Sequence, residues 1–278
     1  SNRSSWHAGA SAAAESAATT LQPAMSESKI SVRGVHKTFS TKKGDVNVLE
    51  GIDLDVRQGE FLAIVGPSGC GKSTLLNCMA GFEHATTGSI QIDGAEVEKP
   101  SPKRVFVFQE TGILPWFSVW DNIGFGLGKM PFEQKNEIVM RYIRLVGLEG
   151  FEKSFPSELS GGMKQRVEVA RALAVDPDVL FMDEPFGALD ALTRLEMRAE
   201  ILRIWKETHK TCVLVTHDVE EAVELADRVA VMTKRPATLH SILDIPLSRP
   251  RDGGSVECRE LKREIFGILG VKLGSTGA

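Results

Sequence analysis

One octapeptide limits the possible folds of this chain more than any other stretch. It reads Gly66-Pro67-Ser68-Gly69-Cys70-Gly71-Lys72-Ser73 and matches the pattern G-x-x-x-x-G-K-[ST] at every fixed position. The apolar run 61–65 before it is typical of a buried strand, and residues 74–80 after it, closed by Gly81, favour a helix. This order predicts an α/β fold with a phosphate-binding loop, and we call residues 66–73 the phosphate loop.

The phosphate loop has the chemistry that a triphosphate needs. Its glycines let consecutive backbone N–H groups turn inward without a Cβ in the way, and the following helix start adds a partial positive charge. Lys72 is predicted to reach the β- and γ-phosphates, and the Ser73 hydroxyl is predicted to bind Mg²⁺. A glycine-rich turn without a ligand is the alternative, which the flanking strand and helix disfavour. The expected nucleotide contacts are Gly66, Pro67, Ser68, Gly69, Cys70, Gly71, Lys72, Ser73 and Thr74.

The composition is that of an ordinary globular protein and excludes several classes of function. The chain has 278 residues, of which 42% are hydrophobic and 25% charged, enough for one large domain or two small ones. A net charge of −4 argues against a general nucleic-acid binder, which would be strongly basic. The 4 cysteines lack metal-ligand spacing and are expected to be small apolar side chains in a reducing compartment. Because no apolar run reaches the roughly 18 residues of a spanning helix, any membrane role requires a partner.

The chain before the phosphate loop predicts a tail and an antiparallel hairpin. Residues 1–28 are rich in Ala, Ser and Thr and lack the apolar core of a secretory signal, so we expect a disordered tail or, in part, a cloning remnant. Apolar residues predict strands over 30–39 and 48–56, joined by the polar loop 41–45. Phe39 has two interpretations, a ring that stacks on a nucleobase or an ordinary core side chain.

Three apolar runs after the phosphate loop predict buried strands that end in polar side chains. They cover residues 105–108, 179–182 and 212–216. Gln109 follows the first run, Asp183 and Glu184 follow the second, and His217 follows the third. Ligands bind at the carboxyl ends of strands in open α/β sheets. Asp183 is therefore predicted to bind Mg²⁺, Glu184 to polarise a water and His217 to sense the γ-phosphate. The alternatives are carboxylates that cap a turn and a structural histidine.

The stretch 111–155 has an aromatic start and helical periodicity in place of short apolar runs, and it predicts a helical insertion between strands of the core. Its aromatic start, with Trp116, Phe117 and Trp120, leads into a helix predicted over 132–146. The remaining predicted elements are a strand over 88–94 that ends in an Asp-Gly turn, a pair of strands over 228–233 and 239–245, and a helix over 256–269.

A second anion site is predicted where residues 159–163, Leu-Ser-Gly-Gly-Met, open a long helix over 164–175. Ser160 is a good N-cap, and Gly161 and Gly162 bare the backbone N–H groups of the first turn. A single chain has no evident use for two such sites on one nucleotide. We call residues 159–163 the signature segment.

Together these motifs resemble the nucleotide-binding subunit of an ABC transporter over residues 30 to about 233. The resemblance rests on the phosphate loop, Gln109, the signature segment, the carboxylates 183–184, Leu189-Asp190 and His217, in that order. It implies an α/β fold of the P-loop NTPase type, with a RecA-like core, an antiparallel β subdomain and an α-helical subdomain. The implied boundaries are a tail over 1–28, an ATPase domain over 29–245 with the helical subdomain inserted at about 111–163, and an extension with a helix over 246–278.

The resemblance also implies a role for each matching residue. The implied catalytic residues are Glu184 as general base, His217 as switch histidine, Gln109 and Lys72. The implied ATP contacts outside the phosphate loop are Phe39, although Tyr is commoner there, Ser160, Gly161, Gly162 and Asp190, and the implied Mg²⁺ ligands are Ser73, Gln109 and Asp183. Ser160 and Gly162 would bind the γ-phosphate held by a second protomer, which gives the second anion site its use. Asp190 would belong to a loop that crosses the dimer interface.

The implied assembly is a homodimer of ATPase subunits on two transmembrane permease subunits, at the cytoplasmic face of the inner membrane. An extracytoplasmic substrate-binding protein would act on it indirectly, and no nucleic acid is involved. Residues 113–116, 184–194 and 245–252 are similar to the nitrate, sulfonate and taurine importer group, and too few residues follow 245 for the regulatory domain of maltose-type ATPases. The alternatives are the ATPase of an exporter or lipid-trafficking system and a soluble ABC protein. One uninterrupted cassette without a heptad run disfavours the soluble class.

Overall fold

The computed structural model describes residues 28–108, 112–187 and 189–271 of the chain. Gln109 and most of the predicted tail therefore lie outside the described residues. The strands are β1 (Ser28–Thr41), β2 (Gly44–Arg57), β3 (Phe61–Val65), β4 (Thr87–Ile92), β5 (Ala95–Glu96), β6 (Arg104–Val107), β7 (Val179–Asp183), β8 (Thr211–Thr216), β9 (Arg228–Met232) and β10 (Leu239–Asp244). The helices are α1 (Lys72–Ala80), α2 (Val119–Ile123), α3 (Phe132–Leu145), α4 (Gly161–Ala174), α5 (Ala191–Thr208), α6 (Val219–Leu225) and α7 (Val256–Ile268), with short 3₁₀ helices at Phe125–Leu127 and Pro156–Glu158.

A six-stranded sheet forms the core, in the order β10-β9-β3-β8-β7-β6. β3 pairs in parallel with β8 and β9, and β7 and β6 continue the parallel arrangement beyond β8. β10 joins β9 as an antiparallel edge strand. Every residue of β3 and of β8 is buried, because parallel sheets are covered on both faces and their strands are continuous apolar runs. The predicted α/β core is confirmed.

A separate antiparallel sheet of four strands, in the order β2-β1-β4-β5, contains the predicted hairpin. β1 extends to Thr41 and β2 begins at Gly44, so the predicted polar loop is shortened to a tight turn. β1 also begins at Ser28, a residue that the sequence assigned to the tail. Asp93 (φ 52°) and Gly94 (φ 74°) form the turn from β4 to β5. Both φ angles lie in the left-handed region that a two-residue hairpin turn requires, which explains the Asp-Gly pair.

The connection from β6 to β7 contains the predicted helices, here α2, α3 and α4. Their buried apolar side chains share one core and include Val119, Ile123, Val139, Ile143, Val167 and Val169. α4 begins at Gly161, earlier than the predicted residue 164, because Ser160 Oγ accepts the Met163 N–H at 3.3 Å and caps the first turn. Among the helices of the described ranges, none combines the length and the apolar character that a bilayer crossing requires.

Helices α5 and α6 were not predicted, whereas α7 agrees with its prediction apart from one residue at its end. α5 buries Met197, Ile201 and Ile204, which lie on one helix face. α7 packs against α6, and Lys262 of α7 pairs with Glu220 of α6 at 3.2 Å. The C-terminal extension is therefore attached to the helix that follows β8.

Candidate active site

The phosphate loop joins β3 to α1, and β3 lies inside the six-stranded sheet between β9 and β8. Gly69 and Gly71 have φ angles of 69° and 128°, which L side chains rarely adopt. A Cβ on Gly71 would also lie 2.9 Å from Cγ1 of Val48 and 3.0 Å from Cδ2 of Leu49. Backbone angle and space therefore both require glycine where the loop curls against β2.

Lys72 lies within the curve of the phosphate loop. It is only 5% exposed, and its Nζ donates to the carbonyl oxygens of Gly66 at 2.9 Å and Pro67 at 3.2 Å. α1 begins at Lys72 itself, earlier than the predicted residue 74. The N-terminus of a helix carries a partial positive charge. The ammonium and the helix start therefore supply positive charge at the same point of the loop.

Ser73 and Asp183 meet although 110 positions separate them in the chain. Ser73 Oγ donates to Asp183 Oδ1 at 3.0 Å, at the carboxyl end of β7. Burial raises the pKa of Asp183 above its ordinary value, and the hydrogen bond from Ser73 opposes that rise while the charge of Glu184 adds to it. A neighbouring cation would relieve the cost of this buried charge. A hydroxyl and a carboxylate are the kind of oxygen ligands that Mg²⁺ takes.

A magnesium ion bound by Ser73 and Asp183 would need further ligands that are not His, Cys, Asp or Glu side chains of the described residues. Across residues 28–108, 112–187 and 189–271, no group of three or more His, Cys, Asp or Glu side chains is placed to hold a metal. Magnesium commonly binds through one or two carboxylates and completes its shell with phosphate oxygens and waters. The Ser73–Asp183 pair fits that mode and does not fit a metal site built by protein alone.

Glu184 and His217 pair next to Asp183 along the same edge of the sheet. His217 Nδ1 lies 3.0 Å from Glu184 Oε2, and the tautomer decides which of the two carries the proton. The side chain of His217 is 62% exposed and that of Glu184 is 22% exposed. Glu184 has a φ of 47°, a strained angle for a residue with a Cβ, and its N–H donates to the Val215 carbonyl of β8 at 2.8 Å. The carboxylate is therefore held through its backbone and its side chain.

The signature segment contacts the start of α5 within its own chain. Asp190 caps α5, because its carboxylate accepts the Thr193 hydroxyl at 2.6 Å and the Thr193 N–H at 3.1 Å. These two hydrogen bonds lower the pKa of Asp190. A Cβ on Gly162 would lie 2.6 Å from Thr193 Cγ2, so α4 and α5 touch where both begin. Between described residues, no hydrogen bond or ion pair joins Ser160, Gly161 or Gly162 to the phosphate loop.

The environment of Phe39 agrees with the packing interpretation, and stacking on a nucleobase stays a prediction. The residue is half-buried on β1 and packs against the core. Lys37 Nζ lies 4.6 Å from the centroid of the ring, within the range of a cation–π contact. One part of the ring therefore contributes to packing, and the rest is accessible.

Gln109 lies outside the described residues, but both flanks of its segment are anchored. The N–H groups of Phe108 and Gly112 donate to Glu168 Oε1 at 3.4 Å and 3.3 Å. Glu168 is buried on α4, and burial raises the pKa of its carboxyl, while the N–H of Gly112 opposes that rise. The helix that the signature segment opens therefore also binds both ends of the Gln109 segment.

Two residues near the site were not predicted from the sequence patterns. One is Glu168, which the sequence could have indicated only through the presence of a carboxylate among the apolar residues of α4. The other is Arg235, whose Nη2 donates to the Gly69 carbonyl of the phosphate loop at 2.6 Å. Because 166 positions separate Arg235 from Gly69, no local spacing could indicate that contact.

Comparisons with known proteins agree with the sequence resemblance. A family model described as ABC transporter matches residues 49–187. The chain is 43% identical over 237 residues to the aliphatic sulfonates import ATP-binding protein of Bacillus cereus, covering 85% of this chain and 94% of that protein. It is 46% identical over 227 residues to the nitrate import ATP-binding protein of Synechococcus elongatus, covering 80% and 83%.

Solved structures share the fold as well. A dimeric bacterial ABC transporter cassette superposes with a TM-score of 0.69 at 29% identity, over 79% of this chain and 100% of that one. The same cassette in a dimeric post-hydrolysis state, bound to ADP and Pi, superposes with a TM-score of 0.68.

Proposed function

Because this chain belongs to the ABC transporter family, we propose that it is the ATPase subunit that drives a membrane importer of a small anion. The fold that the resemblance implied is confirmed, and the chain is an ATPase of this family. The observation that carries the proposal is the pairing of Ser73 with Asp183 and of Glu184 with His217 at one edge of the core sheet. These contacts bring the proposed Mg²⁺ ligands and the proposed general base to the same edge of the core sheet.

The phosphate loop is proposed to bind the phosphates of ATP. Lys72 would exchange its bonds to the carbonyl oxygens of its own loop for β- and γ-phosphate oxygens. Ser73 and Asp183 would hold Mg²⁺, together with Gln109, and the ion would neutralise charge between the β- and γ-phosphates. The accessible part of Phe39 would stack on the adenine ring.

Glu184 is proposed to orient and deprotonate the attacking water. The water oxygen attacks the γ-phosphorus, the bond from that phosphorus to the β–γ bridging oxygen breaks, and the water proton passes to the Glu184 carboxylate. The 3.0 Å contact from His217 Nδ1 fixes the orientation of that carboxylate. The exposed ring of His217 also remains accessible to a phosphate oxygen.

Two chains are proposed to complete two composite ATP sites. Ser160, Gly161 and Gly162 make no hydrogen bond to the phosphate loop of their own chain among the described residues, so they would bind the γ-phosphate held by a second copy. Asp190 would lie at the same interface, because it caps α5 beside the signature segment. The similarity to a dimeric cassette supports this arrangement.

The importer and its substrate class rest on the relatives and on the narrower sequence similarity. Both relatives are named as import ATP-binding proteins, one for sulfonates and one for nitrate. We therefore assign a small anion such as nitrate, a sulfonate or taurine, two permease subunits, and an extracytoplasmic substrate-binding protein that acts indirectly. The subunit would lie at the cytoplasmic face of the inner membrane.

Uptake of labelled nitrate, taurine and an alkanesulfonate by cells that lack the gene tests this assignment. Uptake of one anion is expected to fall to background and to return with the wild-type chain but not with Lys72→Ala. Unchanged uptake of all three would contradict small-anion import. Absence of phosphate release from ATP by the purified chain would instead contradict the ATPase role.

The exposed aromatic side chains of the helical insertion are the proposed permease contact. Trp116 is 67% exposed, and Phe132 is 65% exposed. Trp120 differs from both, because it is half-buried, its Nε1 donates to Asn136 at 3.0 Å and its ring stacks on Phe132. Trp120 therefore contributes to packing within the helical insertion, whereas Trp116 is available to a partner.

Trp116→Ala is expected to weaken assembly with the permease five- to thirtyfold, or about 1 to 2 kcal/mol, since exposed aromatic anchors often dominate an interface. Copurification from membranes measures the loss, and the melting temperature and ATP affinity of the isolated chain should not change. Trp120→Ala is the matched control and should lower the melting temperature by several degrees, because it removes a packed ring. An equal loss of melting temperature in both variants would contradict the surface role of Trp116.

A further inference from the structure

A single arginine joins helix α5 to helix α6. Arg198 of α5 lies 2.9 Å from Asp218, 3.0 Å from Glu221 and 3.2 Å from Glu224, measured between guanidinium nitrogens and carboxylate oxygens. Its side chain is only 6% exposed. Burial alone would lower the pKa of Arg198, but the hydrogen bond and charges from these carboxylates outweigh burial and raise it. The contact is therefore a buried, charge-assisted network and not a surface ion pair.

This network holds both chain neighbours of His217. Asp218 uses Oδ2 to accept from Arg198 and Oδ1 to cap α6, where it accepts the Glu220 N–H at 2.8 Å. On the other side, the Thr216 hydroxyl donates to Glu221 at 2.6 Å and accepts the Asp218 N–H at 3.0 Å. The backbone on each side of His217 is thus fixed by groups that are bound to Arg198 directly or through Glu221.

The start of α5 lies at the proposed dimer interface. α5 begins after its N-cap Asp190, and its first turn contacts the signature segment through Thr193 and Gly162. Arg198 lies five residues, or about one and a half turns, after Thr193 on the same helix. One rigid element therefore contacts the signature segment at its start and the His217 segment at Arg198.

The network around Arg198 contains more negative than positive charge, which is not what a contact that serves stability alone would need. Three carboxylates share one guanidinium, and within the described part of the chain no second cation pairs with any of them inside 4.0 Å. Burial raises the pKa of Glu224, and Arg198 only partly opposes that rise. Buried ion pairs are poor sources of net stability, since desolvation offsets much of the attraction. Their better-supported use is to fix one geometry.

We propose that Arg198 is a positioning residue for ATP hydrolysis, which holds His217 against Glu184 and ties that pair to α5, the helix whose first turn contacts the signature segment. The inference rests on the proposed function of the Glu184–His217 pair. Arg198 itself is placed to touch neither nucleotide nor water. Its contribution is the 3.0 Å geometry of the Nδ1–Oε2 contact that the reaction uses.

Arg198→Lys tests the proposal in the full chain. A lysine keeps the positive charge but offers one ammonium in place of a planar fork, so it cannot reach three carboxylates at once. The expected result is a kcat for ATP hydrolysis lower by about tenfold to a hundredfold, since small misplacements of catalytic groups have effects of that size. ATP affinity should stay within about twofold, because the phosphate loop is untouched. Phosphate release and equilibrium ATP binding are measured on the same preparation.

Arg203→Lys is the matched control on the same helix. Arg203 also pairs with two carboxylates, Glu200 at 2.7 Å and Glu207 at 2.6 Å, but both lie on α5 itself. This variant should keep the wild-type kcat. If Arg198→Lys keeps it as well, or if ATP affinity and melting temperature fall in parallel with kcat, the positioning role is wrong.

Asp218→Asn provides a second arm that does not change Arg198. Asparagine is as good an N-cap as aspartate, so the cap on α6 is kept while the charge that faces Arg198 is lost. We expect the same reduction in kcat as for Arg198→Lys, and no further reduction in the double variant. Additive losses would overturn the proposal, because they would mean that the two residues act independently. A wild-type chain that releases no phosphate would instead refute the proposed function. Failure of the positioning role of Arg198 can therefore be told apart from failure of the proposed function.

Discussion

Glu184→Gln is expected to lower kcat for ATP hydrolysis by a factor of about 10² to 10⁴ while ATP still binds. The variant keeps the size of the side chain and an oxygen for the contact with His217, but it loses the carboxylate that is proposed to accept the water proton. Asp183, Ser73 and Lys72 are unchanged, so the proposed phosphate and Mg²⁺ contacts should remain. Steady-state phosphate release and equilibrium nucleotide binding, measured together, check this result.

The control for this variant is an exposed glutamate on the helix that follows β8. Glu220→Gln removes a carboxylate that pairs with Lys262 at 3.2 Å and has no contact with Glu184. It should leave kcat unchanged, and both variants should keep the wild-type melting temperature, because glutamine at 184 occupies the same backbone position. A Glu184→Gln chain that hydrolyses ATP at a near wild-type rate would show that another group is the base.

Mixing Lys72→Ala with Ser160→Arg subunits is expected to restore activity that neither variant has alone. Each variant by itself should lose at least about a hundredfold in kcat, because one loses the phosphate-loop ammonium and the other blocks the helix start that is proposed to bind phosphate. In a mixed dimer one composite site carries both changes and the other carries neither. With equal amounts and random pairing, about a quarter of the wild-type activity should return.

One outcome of the mixing experiment, no recovery of activity, would have two possible explanations. No recovery over a range of ratios would contradict shared sites unless both sites must act together. Sedimentation of Glu184→Gln with ATP separates these cases, because this variant keeps its nucleotide. ATP should bring two chains together, whereas ADP lacks the γ-phosphate that Ser160 is proposed to reach. A chain that stays monomeric with ATP at high concentration would refute the composite site for the isolated subunit.

The parts of the fold that the sequence predicted are those with a local signal. The phosphate loop has fixed glycines, and the strands at β3, β7 and β8 are continuous apolar runs. Ser160 was predicted as an N-cap from its position before two glycines, and its Oγ accepts the Met163 N–H. The Asp-Gly turn between β4 and β5 likewise follows from two residues that tolerate positive φ.

The parts that the sequence did not predict depend on contacts between distant segments. α5 buries apolar side chains only at Met197, Ile201 and Ile204, a narrow stripe, although Asp190 was available as an N-cap signal. Its core-facing position 198 is an arginine, which weakens the apolar pattern and is explained only by carboxylates on another helix. Arg235 and Glu168 are similar cases, because each bonds to the backbone of a remote loop.

The separation of the site residues along the chain has a consequence for how the protein reaches and keeps its folded state. Ser73 and Asp183 are 110 positions apart, and the parallel neighbours β6 and β7 are separated in the chain by the helical insertion. Contacts across such separations are slow to form, because closing long loops costs entropy before any pairing is gained. A nucleotide that recognises only the closed sheet stabilises it by about 4 kcal/mol at a thousandfold excess over its Kd. Cellular ATP is therefore expected to protect the folded cassette against unfolding as well as to serve as its substrate.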